Sequence, residues 1–124
     1  MQIKWVVLCE RATQRDGLLD VRGLGADTVP VPNKFSVVAL VAFPEDPGDN
    51  FYPVAVTLRD SAMKQVMEWG FMVKPKLPSP ETRVLERREL WDFPLEITAG
   101  RPGVHTIRVA IEDASADISF VIKV

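Results

Sequence analysis

Over most of this chain the apolar positions recur with a period of two rather than 3.6. That is the spacing at which alternate side chains of an extended strand reach the same face. In residues 34–43, Phe35, Val37, Ala39, Val41 and Phe43 fall on one face, and Val38, Leu40 and Ala42 fill most of the other. Two apolar faces predict a strand in the middle of a sheet. Tyr52, Val54, Val56 and Leu58 alternate with the outward Thr57 and Arg59. A turn at Asp60-Ser61-Ala62 leads to a strand whose inner face carries Met67, Trp69, Phe71 and Val73, heavy enough to anchor one side of a core. His105, Ile107, Val109 and Ile111 alternate with Thr106, Arg108 and Glu112. After a turn at Asp113-Ala114-Ser115-Ala116, Ile118, Phe120, Ile122 and Val124 face inward.

The remaining segments are less regular. Residues 2–11 read as a first strand with Ile3, Trp5, Val7 and Cys9 on one face and Val6 and Leu8 on the other. Gln14-Arg15-Asp16-Gly17 predicts a turn, since glycine reaches positive φ without strain, and residues 18–22 return as a short strand. Residues 23–32, with Gly23, Gly25, Pro30 and Pro32, predict an irregular connection crossing between sheets. Residues 44–50 form a loop, as do residues 74–82 with Pro75, Pro78 and Pro80. In residues 83–97, Leu85, Arg88 and Leu90 also suit a short helix. The shared parity of Trp91, Phe93, Leu95 and Ile97 favours a strand, confined by Pro94 to an edge or a bulge. Gly100-Arg101-Pro102-Gly103 is a turn. About eight strands, punctuated by turn signals, predict an all-β, single-domain antiparallel β-sandwich, immunoglobulin-like or C2-like in outline. A closed β-barrel is the alternative.

Composition narrows the function classes more than it names one. The chain has 124 residues, 47% hydrophobic and 26% charged, with a net charge of −2. This suits one domain with a real core and excludes intrinsic disorder. The charge balance gives no electrostatic reason to expect nucleic acid or an anionic membrane. Cys9 is the single cysteine, so no intramolecular disulfide forms, which fits a reducing compartment. The apolar run at residues 5–9 is too short for a signal peptide and meets Glu10 and Arg11 directly. No window reaches the roughly 18 apolar residues of a membrane span. The expectation is a cytoplasmic protein without membrane insertion.

The two ends carry a resemblance. Val6-Val7-Leu8-Cys9-Glu10 leads through a polar turn to Gly17-Leu18-Leu19-Asp20-Val21 and a glycine-rich exit at Gly23 and Gly25. Phe93-Pro94 is followed by Pro102-Gly103-Val104-His105-Thr106-Ile107-Arg108-Val109, a polar turn and an apolar strand. Together these resemble a family of short, uncharacterised bacterial β-sandwich proteins. In that pattern an aromatic, usually tyrosine, follows the Pro-Gly turn, where this chain has His105. The resemblance implies a bacterial β-sandwich and brings no activity or catalytic residues with it.

Candidate chemistry is sparse. His105, the only histidine, has inward parity, which predicts a buried imidazole hydrogen-bonding a turn backbone rather than a general base. Cys9 on an apolar strand reads as a small hydrophobe, because nothing there stabilises a thiolate. One cysteine and one histidine cannot build a structural zinc site. Glu45, Asp46 and Asp49 make loop 45–50 the best calcium candidate, with Asp16 and Asp20 or Asp113 and Asp117 adding oxygens if the loops converge. Lys74, Lys76, Arg83, Arg87 and Arg88 flank Trp69 and Trp91, but Glu81, Glu86 and Glu89 interrupt them, as on a mixed, solvated face. No phosphate-binding glycine loop or catalytic signature appears. The reading is therefore a non-enzymatic interaction or assembly module needing no cofactor. Its partner is a protein, in the first place a second copy of itself. Its contact candidates are a strand edge or the region of Trp69, Trp91, Arg87 and Arg88. A calcium-dependent binding module and a small enzyme with His105 as base are the alternatives.

Overall fold

A computed structural model describes residues 1–15, 18–25, 27–31, 33–43, 50–75, 87–97 and 101–123. Ten strands run through them: β1 (Gln2–Cys9), β2 (Arg11–Arg15), β3 (Leu18–Arg22), β4 (Thr28–Pro30), β5 (Asn33–Phe43), β6 (Tyr52–Arg59), β7 (Gln65–Val73), β8 (Arg87–Ile97), β9 (Gly103–Ile111) and β10 (Ala114–Lys123). They form a three-stranded sheet in the order β1-β5-β8, a five-stranded sheet in the order β4-β10-β9-β6-β7, and a β2-β3 hairpin. The fold is all-β and sandwich-like, and the strand orders have free ends where a closed barrel would have none. No helix of the described residues is long and apolar enough to cross a membrane.

The period-two faces meet across the two main sheets. Phe35, Val37, Ala39, Val41 and Phe43 of the central strand β5 are buried against Val54, Val56 and Leu58 of β6 and Ile107, Val109 and Ile111 of β9. Aromatic pairs bridge the sheets: Phe71 to Phe93 at 5.0 Å between ring centroids, Phe43 to Tyr52 at 5.8 Å and Phe35 to Phe120 at 6.1 Å. Their tilted geometry lets the edge of one ring meet the face of the next. β8 is an edge strand, where Pro94 costs no interior hydrogen bond.

Three details differ from the expectation. First, β1 does not keep one parity. Ile3 pairs with Val41 but Trp5 pairs with Leu40, so Lys4 is an extra residue that shifts the register. Ile3, Val6 and Leu8 therefore face the core, while Trp5, Val7 and Cys9 lie on the other side, and Trp5 is 41% exposed. Second, the first strand stops at Cys9. Gln14 and Arg15 belong to β2 rather than to a turn, and residues 16–17 lie outside the described residues. Third, the connection after Gly23 contains β4, which pairs in parallel with β10. Backbone bonds from Val121 to the Asp27 carbonyl and from Val31 to the Lys123 carbonyl fix it there. β2 and β4 account for the excess over eight strands.

The two hairpins of the second sheet depend on local backbone chemistry. At Asp60, one carboxylate oxygen accepts the amides of Ala62 and Lys64, which lets Met63 adopt a positive φ of 62°. In the β9-β10 hairpin the turn is Glu112-Asp113 and β10 already begins at Ala114, earlier than the expected turn at residues 113–116. Its first residue, Glu112, has φ 51°, a position where hairpins prefer glycine.

Candidate functional site

The histidine and cysteine are both built into the packing. His105 is 4% exposed on β9, its Nδ1 donating to the Gly103 carbonyl at 3.0 Å and its ring 6.3 Å from that of Phe120. The imidazole thus ties the strand to the turn that precedes it. Cys9 is fully buried, and its thiol donates to the Ser36 carbonyl at 3.6 Å. Burial and then the nearby Asp92 charge push the thiol above its ordinary pKa, against a smaller opposing effect from the Arg11 backbone. A thiol so placed is a poor nucleophile.

Asp92 is the least comfortable group in this region. It lies on the outer face of the first sheet, with one carboxylate oxygen shielded from water and without a partner. Burial raises its pKa, and the Ser36 hydroxyl bond only partly offsets this. Because the folded pKa lies above the unfolded value, the native state holds this proton more tightly than the unfolded chain does. The penalty is absent below the unfolded pKa and is fully present above the folded one. Asp92→Asn is therefore expected to stabilise the protein at neutral pH by on the order of 1 kcal/mol. That gain should fade as the pH falls through the folded pKa and vanish only below the ordinary carboxylate value of 3.8, as urea unfolding of both proteins at several pH values will read.

The other candidates are dispersed. Trp91 is 6% exposed and packs on Phe43 at 5.6 Å, its indole N–H donating to Glu89. Trp69 is half-buried on the inner face of the opposite sheet. The two indoles thus face the interior from different sheets. Arg88 is exposed on β8, while the Arg87 side chain and Glu45, Asp46 and Asp49 lie outside the described residues. Asp117 sits in a two-pronged pair with Arg108 at 2.8 and 3.0 Å, which holds its carboxyl below the usual range. No cluster of three potential metal ligands occurs among the described residues. One cleft of about 240 Å³ is bounded by Cys9, Glu10, Thr28 and Asn33, and another of about 470 Å³ by Arg11, Thr13, Asp20 and Arg22. His105 lines neither.

What the second sheet does offer is an edge. β7 has one hydrogen-bonded neighbour, β6, and its other side is the margin of the five-stranded sheet. A bulge lies at its start, where Leu58 pairs with Met67 and Arg59 with Gln65. From Met67 to Val73 the strand is regular and lacks proline. Its inner side chains pack on the core, whereas Val66 is 45% and Met72 63% exposed. Beside it, Pro53, Ala55, Gly70, Met72 and Ala110 line a shallow open groove of about 600 Å³ on the outer face. The marginal place of β7 in the sheet depends on strand order, which no local pattern encodes.

The other three margins of the two main sheets are guarded in ways that discourage strand addition. β1 carries the Lys4 bulge, β4 is three residues long and ends in Pro30, and β8 contains Pro94. No protein-family model matches the chain, and comparison with curated proteins returns no match.

Proposed function

We propose that this chain is a non-enzymatic interaction module that takes up an extended strand along β7, and that its partner is a second copy of itself. The observation that carries the reading is the contrast among the four sheet margins. β1 bears a bulge, β8 a proline and β4 minimal length, whereas β7, whose bulge lies at its very start, runs regularly and without proline from Met67 to Val73 with Met72 exposed. Strand addition gains backbone hydrogen bonds along an open edge and draws specificity from alternate side chains. An unguarded edge also carries an aggregation hazard, which a defined partner removes. The burial of His105 and Cys9 supports a packing role for the two residues best able to do chemistry.

Light scattering over the micromolar to millimolar range tests this. The expected result is a reversible shift from monomer to dimer, abolished in Val66→Lys/Met72→Lys with the melting temperature little changed. A strict monomer at the highest concentration overturns the reading.

A further inference from the structure

Independently of self-association, we infer that the exposed face of the β2-β3 hairpin binds a phosphoryl group, held between Arg11 and Arg22 with the Thr13 hydroxyl as a further donor. The reason lies in the register. Arg11 is the direct cross-strand partner of Arg22, and Thr13 is that of Asp20, so these four side chains share one face of the hairpin. The alternate residues Ala12, Leu19 and Val21 are half-buried, while the four themselves are exposed. They border the open concavity of about 470 Å³.

Like charges placed directly opposite one another destabilise a strand pair. Elsewhere the chain neutralises an outward arginine, since Asp117 holds Arg108 across β9 and β10 at 2.8 Å. Arg11 and Arg22 have no such relief, because among the described residues neither makes an ion pair. Glu10, which precedes Arg11, packs over Gly23 instead. Asp20 is diagonal to Arg11 and two residues from Arg22, and it bonds to neither. Two guanidiniums thus stand side by side with no carboxylate between them.

The chemistry of the pair selects its ligand. One guanidinium fork matches the two oxygens of a carboxylate, so a carboxylate uses one arginine and leaves the other repelling it. A phosphate monoester carries three acceptor oxygens and a charge of about −1.5 to −2 at neutral pH, enough for two forks and a hydroxyl. Asp20 sets the limit. Its charge on the same face repels a second phosphate, so the site fits one phosphoryl group and not a nucleic-acid backbone. The platform is also fixed where the arginines sit. The Glu10 amide donates to the Arg22 carbonyl and the Gly25 amide to the Leu8 carbonyl, both at 2.9 Å, which ties the base of the hairpin to β1. Side chains on an ordered backbone lose less freedom on binding than side chains on a loose one.

Titration of the full chain with inorganic phosphate and with a short peptide carrying one phosphoserine, at constant ionic strength, tests the site. Backbone amide resonances of Arg11, Thr13, Asp20 and Arg22 are expected to shift saturably with both probes and not with the unphosphorylated peptide. Tighter binding of the phosphopeptide assigns the phosphoryl group to a protein, and equal affinity assigns it to a small molecule; both support the site. Arg11→Gln and Arg22→Gln are each expected to weaken binding about tenfold, and Asp20→Asn to tighten it. Without phosphate, Arg11→Gln is expected to keep or raise the melting temperature by relieving the repulsion, so that lost binding is distinguished from lost folding. Arg108→Gln is the control and is expected to bind like the parent. Shifts that never saturate, that spread equally over the other exposed basic residues, or that survive both hairpin substitutions overturn the site. Light scattering reads edge docking separately, so either proposal can fail without the other.

Discussion

Replacing Phe93 by alanine is expected to lower stability by about 4 kcal/mol, the largest effect of any single substitution discussed for this fold. Phe93 is 1% exposed and stands 5.0 Å from the ring of Phe71, so it joins the edge strand of the first sheet to the edge strand of the second. Truncation removes its transfer free energy and leaves a cavity that two rigid sheets close poorly. Phe51 is the control. It is 60% exposed, and Phe51→Ala is expected to stay within about 0.5 kcal/mol of the parent. Urea unfolding of the three proteins checks the contrast; equal losses at the two positions would mean that the inward parity of β8 is wrong.

Gly23→Ala is the second large effect, expected to cost about 2–3 kcal/mol. The φ of Gly23 is +67°, where an L side chain is strained. A Cβ there would also run into Glu10, with its Cδ 2.7 Å and its Cβ 2.9 Å away. The closeness has a purpose, because the Glu10 amide donates to the Arg22 carbonyl and the Gly25 amide to the Leu8 carbonyl, folding the β2-β3 hairpin back on β1. Gly25 has φ +79° with open space around a would-be Cβ, so Gly25→Ala is expected to cost only about 1 kcal/mol. The difference in melting temperature between the two variants then isolates the steric part. If Gly25→Ala were as damaging as Gly23→Ala, the Glu10 contact would carry no weight.

How much of this was legible in the sequence depends on which physical signal each element leaves. β6, β7 and β9 were read with their correct inward faces, and the two faces of β5 and the shared parity of β8 were grouped correctly, because burial on one side of a pleated strand imposes strict alternation. β8 was identified despite its polar start, since Trp91, Phe93, Leu95 and Ile97 outweigh Arg88 and Glu89. In β1 the same rule misled. Its six apolar residues satisfy either face, so the inserted Lys4 leaves no mark in the hydrophobic pattern, and Ile3 was grouped with Trp5, Val7 and Cys9 instead of with Val6 and Leu8. β4 was missed because three residues ending in a proline look like a connection, and only a long-range parallel partner makes them a strand.

The candidate site divides the same way. Burial of His105 and its bond to the turn followed from parity and from the neighbouring Gly103. The shared parity of Trp69 and Trp91 with the core residues of their strands was also legible. The penalty at Asp92 was not legible, since it arises from burial in the assembled sheet and is only partly relieved by Ser36 of β5. The open margin at β7 was invisible for a different reason: it is a property of where a strand stands among its neighbours.

The parallel seat of β10 between β9 and β4 also sets an order of events. β4 and β10 come from opposite parts of the sequence, and neither completes the second sheet without the other. During synthesis, Val29 must wait for Ile122 to leave the ribosome before its strand has a partner. Such distant pairing is slow, in the range of milliseconds to seconds for β-sandwiches. Until it closes, the nascent chain exposes a half-built sheet, and the capacity to recruit a foreign strand is greatest at that stage.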